Sequence, residues 1–289
     1  MSSIQETAIN ETTGKETPGN DERKKNWNIF ILGSGFFLVY TGYLTTAGVS
    51  ETILRSYSDR TGRYANGFIS LGINAAANAI TAPFAPVVVR LCNRKITMLI
   101  GGLLNASYVF CFINPYPTLL YVCSVLSGIG GTLIWIAQGS DMIVNSNERT
   151  ITRNVSIFFA MYMSGTFGGN LYVFFAWNGK TSISESEQVT LAVILGCVTV
   201  LGSMVFLFSR SLPEDIRDSD VSTKDACLDY IKSAWQMAHE KEVMFLLPTM
   251  VFMGFEMAFF QGIFPTCIGA TDQLENFRNC VYVIVYFAR

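Results

Sequence analysis

The sequence predicts an all-α fold, a polytopic bundle of membrane-crossing helices. Two observations carry that expectation: the composition, and the recurrence of long uncharged runs. Of the 289 residues, 50% are hydrophobic and 15% charged, with a mean hydropathy of +0.35, whereas soluble domains carry about 25% charged residues. That shortfall excludes an ordinary cytosolic enzyme. A net charge of −2 excludes the overall basic footprint that nucleic acid would demand, so no nucleic-acid partner is expected. The seven cysteines form no C-x-x-C and no cysteine–histidine cluster. Neither a metal site, a cofactor nor a disulfide framework is therefore expected, and the cysteines within apolar runs read as small hydrophobes.

The hydrocarbon core of a bilayer is crossed by about 20 apolar residues of helix at about 1.5 Å each. Residues 27–50, 64–89, 154–179 and 188–209 each supply such a run. No charge occurs between Ile96 and Ser140, but Asn114-Pro115-Tyr116-Pro117 interrupts that stretch. Proline removes a helix donor and a polar, proline-rich turn needs water, so two helices are expected there. A seventh span runs over 243–264 and tolerates Glu256 near its middle, and an eighth starts near Asn279. The chain thus divides into a polar, disordered tail (1–26), a six-helix bundle (27–209), a connecting loop (210–242) and the incomplete start of a second bundle (243–289).

Lysine and arginine set the expected orientation. With the N-terminus in the cytoplasm, 14 of them fall inside and five (Arg55, Arg60, Arg63, Lys180 and Arg278) fall outside. Topology follows such a bias and discounts acids, so the N-terminus is expected to be cytoplasmic. The tail has no apolar stretch of its own, so no cleavable signal peptide is expected and the first span serves as signal-anchor. The plasma membrane or an endolysosomal membrane is the expected location. In the second half of the connecting loop, Leu228, Ile231, Trp235 and Ala238 share a helical face. That pattern suits either a helix lying in the membrane interface or a short soluble helix packed on the bundle.

Six helices, a charged connector and the start of a second set is how half of a major facilitator transporter reads. The sequence shows no clear internal repeat. Three longer words are more specific: Trp135-Ile-Ala-Gln138-Gly139; Gly169-Asn170-Leu-Tyr172 through Trp177-Asn-Gly179-Lys180 to Glu185; and Glu256-Met-Ala-Phe-Phe-Gln261-Gly262 with Thr266-Cys267-Ile-Gly269-Ala-Thr271. These resemble the uncoordinated-ninety-three (Unc) family, in its major-facilitator-domain-containing Unc-like branch, over about residues 27–271. The resemblance implies a major facilitator bundle of two six-helix halves. It also implies that some members associate with potassium channels or assist receptor trafficking. Two departures stand out. Where the superfamily carries an acid and two glycines between spans two and three, this chain reads Pro86-Val-Val-Val-Arg90-Leu-Cys-Asn93-Arg94-Lys95. The family's second half would continue beyond Arg289, so the chain is expected to be a truncated form, an incomplete gene model or a fragment.

A carboxylate at bilayer depth costs at least about 2.5 kcal/mol, which makes Glu256 a functional candidate by default. It reads either as a proton or cation relay or as a neutral acid bonded to another helix through Gln138 or Asn170. Gln138, Asn170 and Gln261 belong to the family-like words and join Glu256 as substrate- or ion-coupling candidates. Gly165 and Gly169 form a small-x-x-x-small pair, and Asn74 and Asn78 lie four apart on one helical face. Both pairs read as helix packing. Asp141 is positioned to pair with Arg149 or Arg153. No catalytic residue is expected: the lone His239 has no nucleophile at a recognisable spacing, and Gly33-Ser-Gly35 sits inside a span rather than after a strand. The expected function is therefore a transporter-like multi-pass membrane protein of unknown substrate, without transport of its own in this form. The alternative is a regulatory subunit or trafficking partner of an ion channel or receptor.

Overall fold

The computed structural model describes residues 18–176, 183–210, 232–233 and 235–259, and among these it contains helices and no strands. Helix α1 (Pro18–Thr61) begins on a proline, which suits a first turn, and ends at Gly62, whose φ of +68° closes it. It runs beyond the uncharged stretch 27–50, carrying Glu51, Arg55 and Arg60 in its last turns. Asn66 caps α2 (Gly67–Thr81) by accepting from the Ile69 N–H at 3.1 Å. The run 64–89, read as one span, is broken: Pro83 and Pro86 end α2 and start α3 (Ala85–Cys92), and the two axes differ by 70°. Helix α4 (Arg94–Cys111) follows at once, capped by Asn93.

The Asn114-Pro115-Tyr116-Pro117 turn lies where the sequence puts it, with α5 (Pro117–Val144) starting on its second proline. Helix α6 (Ile151–Ala176) precedes α7 (Glu185–Val205), which opens on a capping box between Ser184 and Glu187 and closes in a 3-10 turn, Phe206–Phe208. Helix α8 (Lys241–Ala258) contains Pro248. Asp21–Thr61, Pro117–Val144 and Glu185–Phe208 are each long and apolar enough to cross a membrane, and α2–α3 adds a fourth if taken as one span. The other helices are shorter or more polar: α4 opens on Arg94-Lys95, α6 carries Arg153 and Asn154 near its start, and α8 opens on Lys241-Glu242. Of the proposed helical face in the connector, Leu228 and Ile231 lie outside the described residues, and Trp235 is exposed.

The bundle buries polar side chains among its apolar core and is apolar outside. Ser70, Asn74, Asn105, Ser124 and Ser127 are buried, and they bond across helices: Ser70 to Ser124 at 2.7 Å and Ser127 to Asn105 at 2.8 Å. Meanwhile Phe30, Ile80, Leu91, Val122, Phe175 and Leu201 are exposed. In water so much exposed apolar surface would drive association; in lipid it is the expected exterior.

Helices α1 and α5 occupy the centre. Helix α1 packs on α6 and α7, α5 packs on α2, α3 and α4, and α4 packs on α7. Exchanging each span for the one three places along maps these contacts onto themselves. The glycines obey the same exchange. A Cβ on Gly202 of α7 would come within 3.0 Å of the Gly35 carbonyl of α1, and one on Gly101 of α4 within 2.7 Å of the Gly130 carbonyl of α5. Gly33 faces Met161 of α6 as Gly128 faces Asn74 and Ala77 of α2. An internal repeat that the sequence hides is thereby visible: Gly33-x-Gly35-x-x-x-x-Tyr40 aligns with Gly128-x-Gly130-x-x-x-x-Trp135. The Tyr40 and Trp135 rings meet at the centre, 5.7 Å apart.

Candidate functional site

The end of the bundle where α1 begins carries the densest polar structure. The last turns of α5 place Gln138, Asp141 and Asn145 on its buried side. Asn93 adopts a φ of 66° and caps α4 through the Lys95 N–H, so that α4 opens with Arg94 and Lys95 directed back among its neighbours. Arg94 Nε then stands 3.5 Å from Asp141 Oδ1, with both residues buried. Lys95 Nζ donates to the Ser209 carbonyl at 2.6 Å, tying α4 to the end of α7. Asn28 of α1 donates to Asn145 Oδ1 at 2.8 Å and accepts from the Arg210 N–H at 2.7 Å. Asn154 of α6 donates to Ser146 at 2.9 Å. Five helices are thus clasped at one end. A buried pair of this kind gains little by itself, but removing one partner strands a charge.

Asp141 does not take either partner expected from the sequence. Arg153 is turned to Asn26, at 2.8 Å, and to Asn154, because α6 starts on the far side of the α5–α6 loop. The Asp141 partner instead comes from α4, which packs along α5. The signal was the Arg94-Lys95 pair at the mouth of an otherwise uncharged span, where snorkelling to water would have been the simpler fate.

One turn before Gln138, Trp135 joins an aromatic cluster with Phe36, Tyr40, Phe158 and Tyr162. Tyr40 and Tyr162 meet edge-on at 5.2 Å, bridging α1 and α6. Beyond them α6 lies almost against the α1 backbone. A Cβ on Gly165 would come within 2.5 Å of the Phe37 carbonyl, and one on Gly169 would strike Thr45. Thr41 donates across the seam to the Gly165 carbonyl at 3.0 Å. Asn170 is buried here; its amide donates to the Thr166 carbonyl of its own helix at 2.8 Å, and its Oδ1 has no partner among the described residues. Asn74 and Asn78 link α2 to α5: Asn74 donates to the Ser124 carbonyl at 3.3 Å, and Asn78 accepts from Thr132 at 2.7 Å.

The four coupling candidates are placed differently. Gln138 and Asn170 are buried within the six-helix bundle. Glu256 is half-buried on α8, which packs little against the bundle and leaves Phe245 and Phe255 exposed. Among the described residues it makes no hydrogen bond or ion pair with Gln138 or Asn170. Gln261 lies outside the described residues. At the opposite end of the bundle Arg60 donates to the Ile183 carbonyl and to Gln188, and Glu51 accepts the Gly67 N–H of α2 at 3.1 Å.

Comparison with known proteins gives a consistent picture. Residues 59–288 match a family model described as ion channel regulatory protein UNC-93. The chain is 31% identical over 270 residues to UNC93-like protein MFSD11 of Xenopus tropicalis, covering 88% of this chain and 60% of that protein. It is 21% identical over 310 residues to protein unc-93 homolog A of Danio rerio, covering 90% of this chain and 63% of that one. A putative potassium channel regulatory protein unc-93 of Caenorhabditis elegans is 22% identical over 298 residues, with 87% of this chain and 41% of that protein covered. The chain therefore spans about 60% of the length of the first two of these relatives.

Proposed function

The chain belongs to the UNC-93 family of membrane proteins, and from that premise we propose that it forms one six-helix half, with the start of the second, of a transporter-like protein whose halves rock about a shared midplane site. The observation that carries this reading is the three-span exchange symmetry around α1 and α5, the arrangement from which major facilitator halves are built. The clasp of Arg94, Asp141, Asn28 and Asn145 supports it by making the half a rigid body, so that motion falls between halves. On this reading the N-terminus is cytoplasmic, the bilayer is the solvent for the exposed apolar faces, and the plasma membrane or an endolysosomal membrane is the site of action. Glu256 serves the shared site from the second half, where Gln261 is a further candidate, and Gln138 and Asn170 support it from the first.

Two-sided access tests the proposal without a known substrate. Gln138→Cys and Glu256→Cys in a full-length protein freed of native cysteines should react with membrane-impermeant thiol reagents from both faces of the membrane. Reaction from neither face, or from one face alone, would sink the transporter reading. The second reading, a regulatory subunit of a channel or receptor, is favoured by the family description and by the name of the nematode relative. One-sided access together with co-purification of a channel or receptor subunit in mild detergent would establish it in place of the first.

A further inference from the structure

Three consecutive residues of α1 arrange two arginines at the end of the bundle that carries the clasp. The Arg153 guanidinium of α6 donates to the Asn26 side chain at 2.8 Å. The Arg210 guanidinium lies over the Trp27 ring, 5.5 Å from its centre, while the Trp27 indole donates to the Phe208 carbonyl at 3.2 Å. Asn28 grips the Arg210 backbone from both sides, accepting from its N–H at 2.7 Å and donating to its carbonyl at 2.9 Å. Arg153 otherwise reaches only the Asn154 oxygen. Neither guanidinium has a carboxylate partner among the described residues, although Asp21 and Glu22 precede Arg23 on α1. Because α6 and α7 pack on α1 and little on each other, a strip of α1 stays open between them. Arg23, Asn26, Trp27 and Phe30 recur there at helical spacing, and all four are exposed.

We infer that this strip is the seat of one anionic phospholipid, a site distinct from the midplane site proposed above. The lipid phosphate bridges Arg153 and Arg210, whose planar forks match phosphate oxygens and here meet only neutral partners. Its glycerol region lies against Trp27, since an amphipathic ring prefers headgroup depth. An acyl chain then runs over Phe30, whose ring is 6.2 Å from that of Trp27, and past Phe208; the two phenylalanines are 53% and 68% exposed. A soluble anion gains nothing from that apolar floor. A zwitterionic lipid brings a quaternary ammonium toward the arginines, which repel it, so each arginine near the surface favours the anionic lipid about fivefold. The leaflet that supplies the lipid follows from the orientation proposed above, in which this end is cytoplasmic; the site itself does not rest on that orientation.

The full chain is reconstituted in phosphatidylcholine nanodiscs in which a minor fraction of the lipid carries bromines on its acyl chains near the headgroup, either as phosphatidylglycerol or as phosphatidylcholine. Trp27 fluorescence is read as the difference between the parent and Trp27→Phe. Brominated phosphatidylglycerol is expected to quench it severalfold more than brominated phosphatidylcholine. That excess should shrink in Arg153→Gln and in Arg210→Gln and vanish in the double variant. It should persist in Arg149→Gln, which removes an exposed arginine of the α5–α6 loop at the same end. In the parent, where no variant has to fold, raised salt should reduce it. Equal quenching by the two lipids would overturn the proposal. So would an excess that survives in the double variant, falls equally in Arg149→Gln, is indifferent to salt, or is abolished by millimolar inorganic phosphate. Nanodiscs present the same lipid on both faces, so the result depends neither on which way the chain sits in the membrane nor on whether it transports.

Discussion

At the residue scale, Asp141 shows what the sequence could and could not tell. An acid just past an uncharged span was legible as a site of charge pairing, but its partner was not. Arg153 is 12 positions away and Arg94 is 47 positions away, yet Arg94 is the one that packing delivers. Proximity along the chain loses to the α4–α5 seam, which only tertiary structure reveals. The energetics of a buried pair give a testable consequence. Asp141→Asn leaves the Arg94 guanidinium buried without its counter-charge and should lower stability by about 3–5 kcal/mol, read as a fall in the unfolding midpoint in detergent. Arg94→Met together with Asp141→Leu removes both charges and should recover most of that loss; a double variant as unstable as the single would show that the pair is not the cause. Glu256 marks the limit of such reasoning. Its cost in lipid was readable from its position, but what it faces depends on the helices that accompany α8.

At the element scale, charge-free runs placed the helices well because backbone at bilayer depth has to satisfy itself. The α4–α5 turn fell where its prolines and polar groups required water. In two places the helices depart from those runs. Counting charges stopped the first span at Glu51, although nothing in α1 breaks there and the helix continues to Thr61. It also read 64–89 as one span, although Pro83 and Pro86 bend it by 70°. A count of charges registers neither the persistence of a helix into the interface nor a proline that breaks one. The hinge into α4 carries its own prediction. Asn93, with φ 66° and ψ 146°, sits where glycine is the natural occupant, and it also caps Lys95. Asn93→Ala should destabilise the chain by about 1–3 kcal/mol, whereas Asn93→Gly, which relieves the strain and loses the cap, should stay near the parent. Equal losses in thermal unfolding would place the effect in the cap alone.

At the scale of the whole molecule, the composition was enough to predict an all-α membrane bundle, and the family-like words were enough to reach the UNC-93 family. The exchange symmetry was not legible, because it rests on two glycines and one aromatic per helix while most residues between them differ, buried ones such as Phe36 and Val39 included. Gly33, Gly35 and Tyr40 answer to Gly128, Gly130 and Trp135, and of the intervening positions only Leu38 and Leu133 are identical. That symmetry requires the third and sixth spans to pack on each other near its axis. Gly102 of α4 lies there against Ser203 of α7, where an added Cβ would come within 2.9 Å of the Ser203 Cβ. The most direct test is therefore oxidative cross-linking of a Gly102→Cys/Ser203→Cys pair in membranes, with Gly102→Cys/Ser164→Cys as the control. Ser164 is exposed on α6, which does not pack on α4. The first pair should cross-link rapidly and the second not at all. No cross-link between 102 and 203, or equal yields for both pairs, would contradict the exchange symmetry.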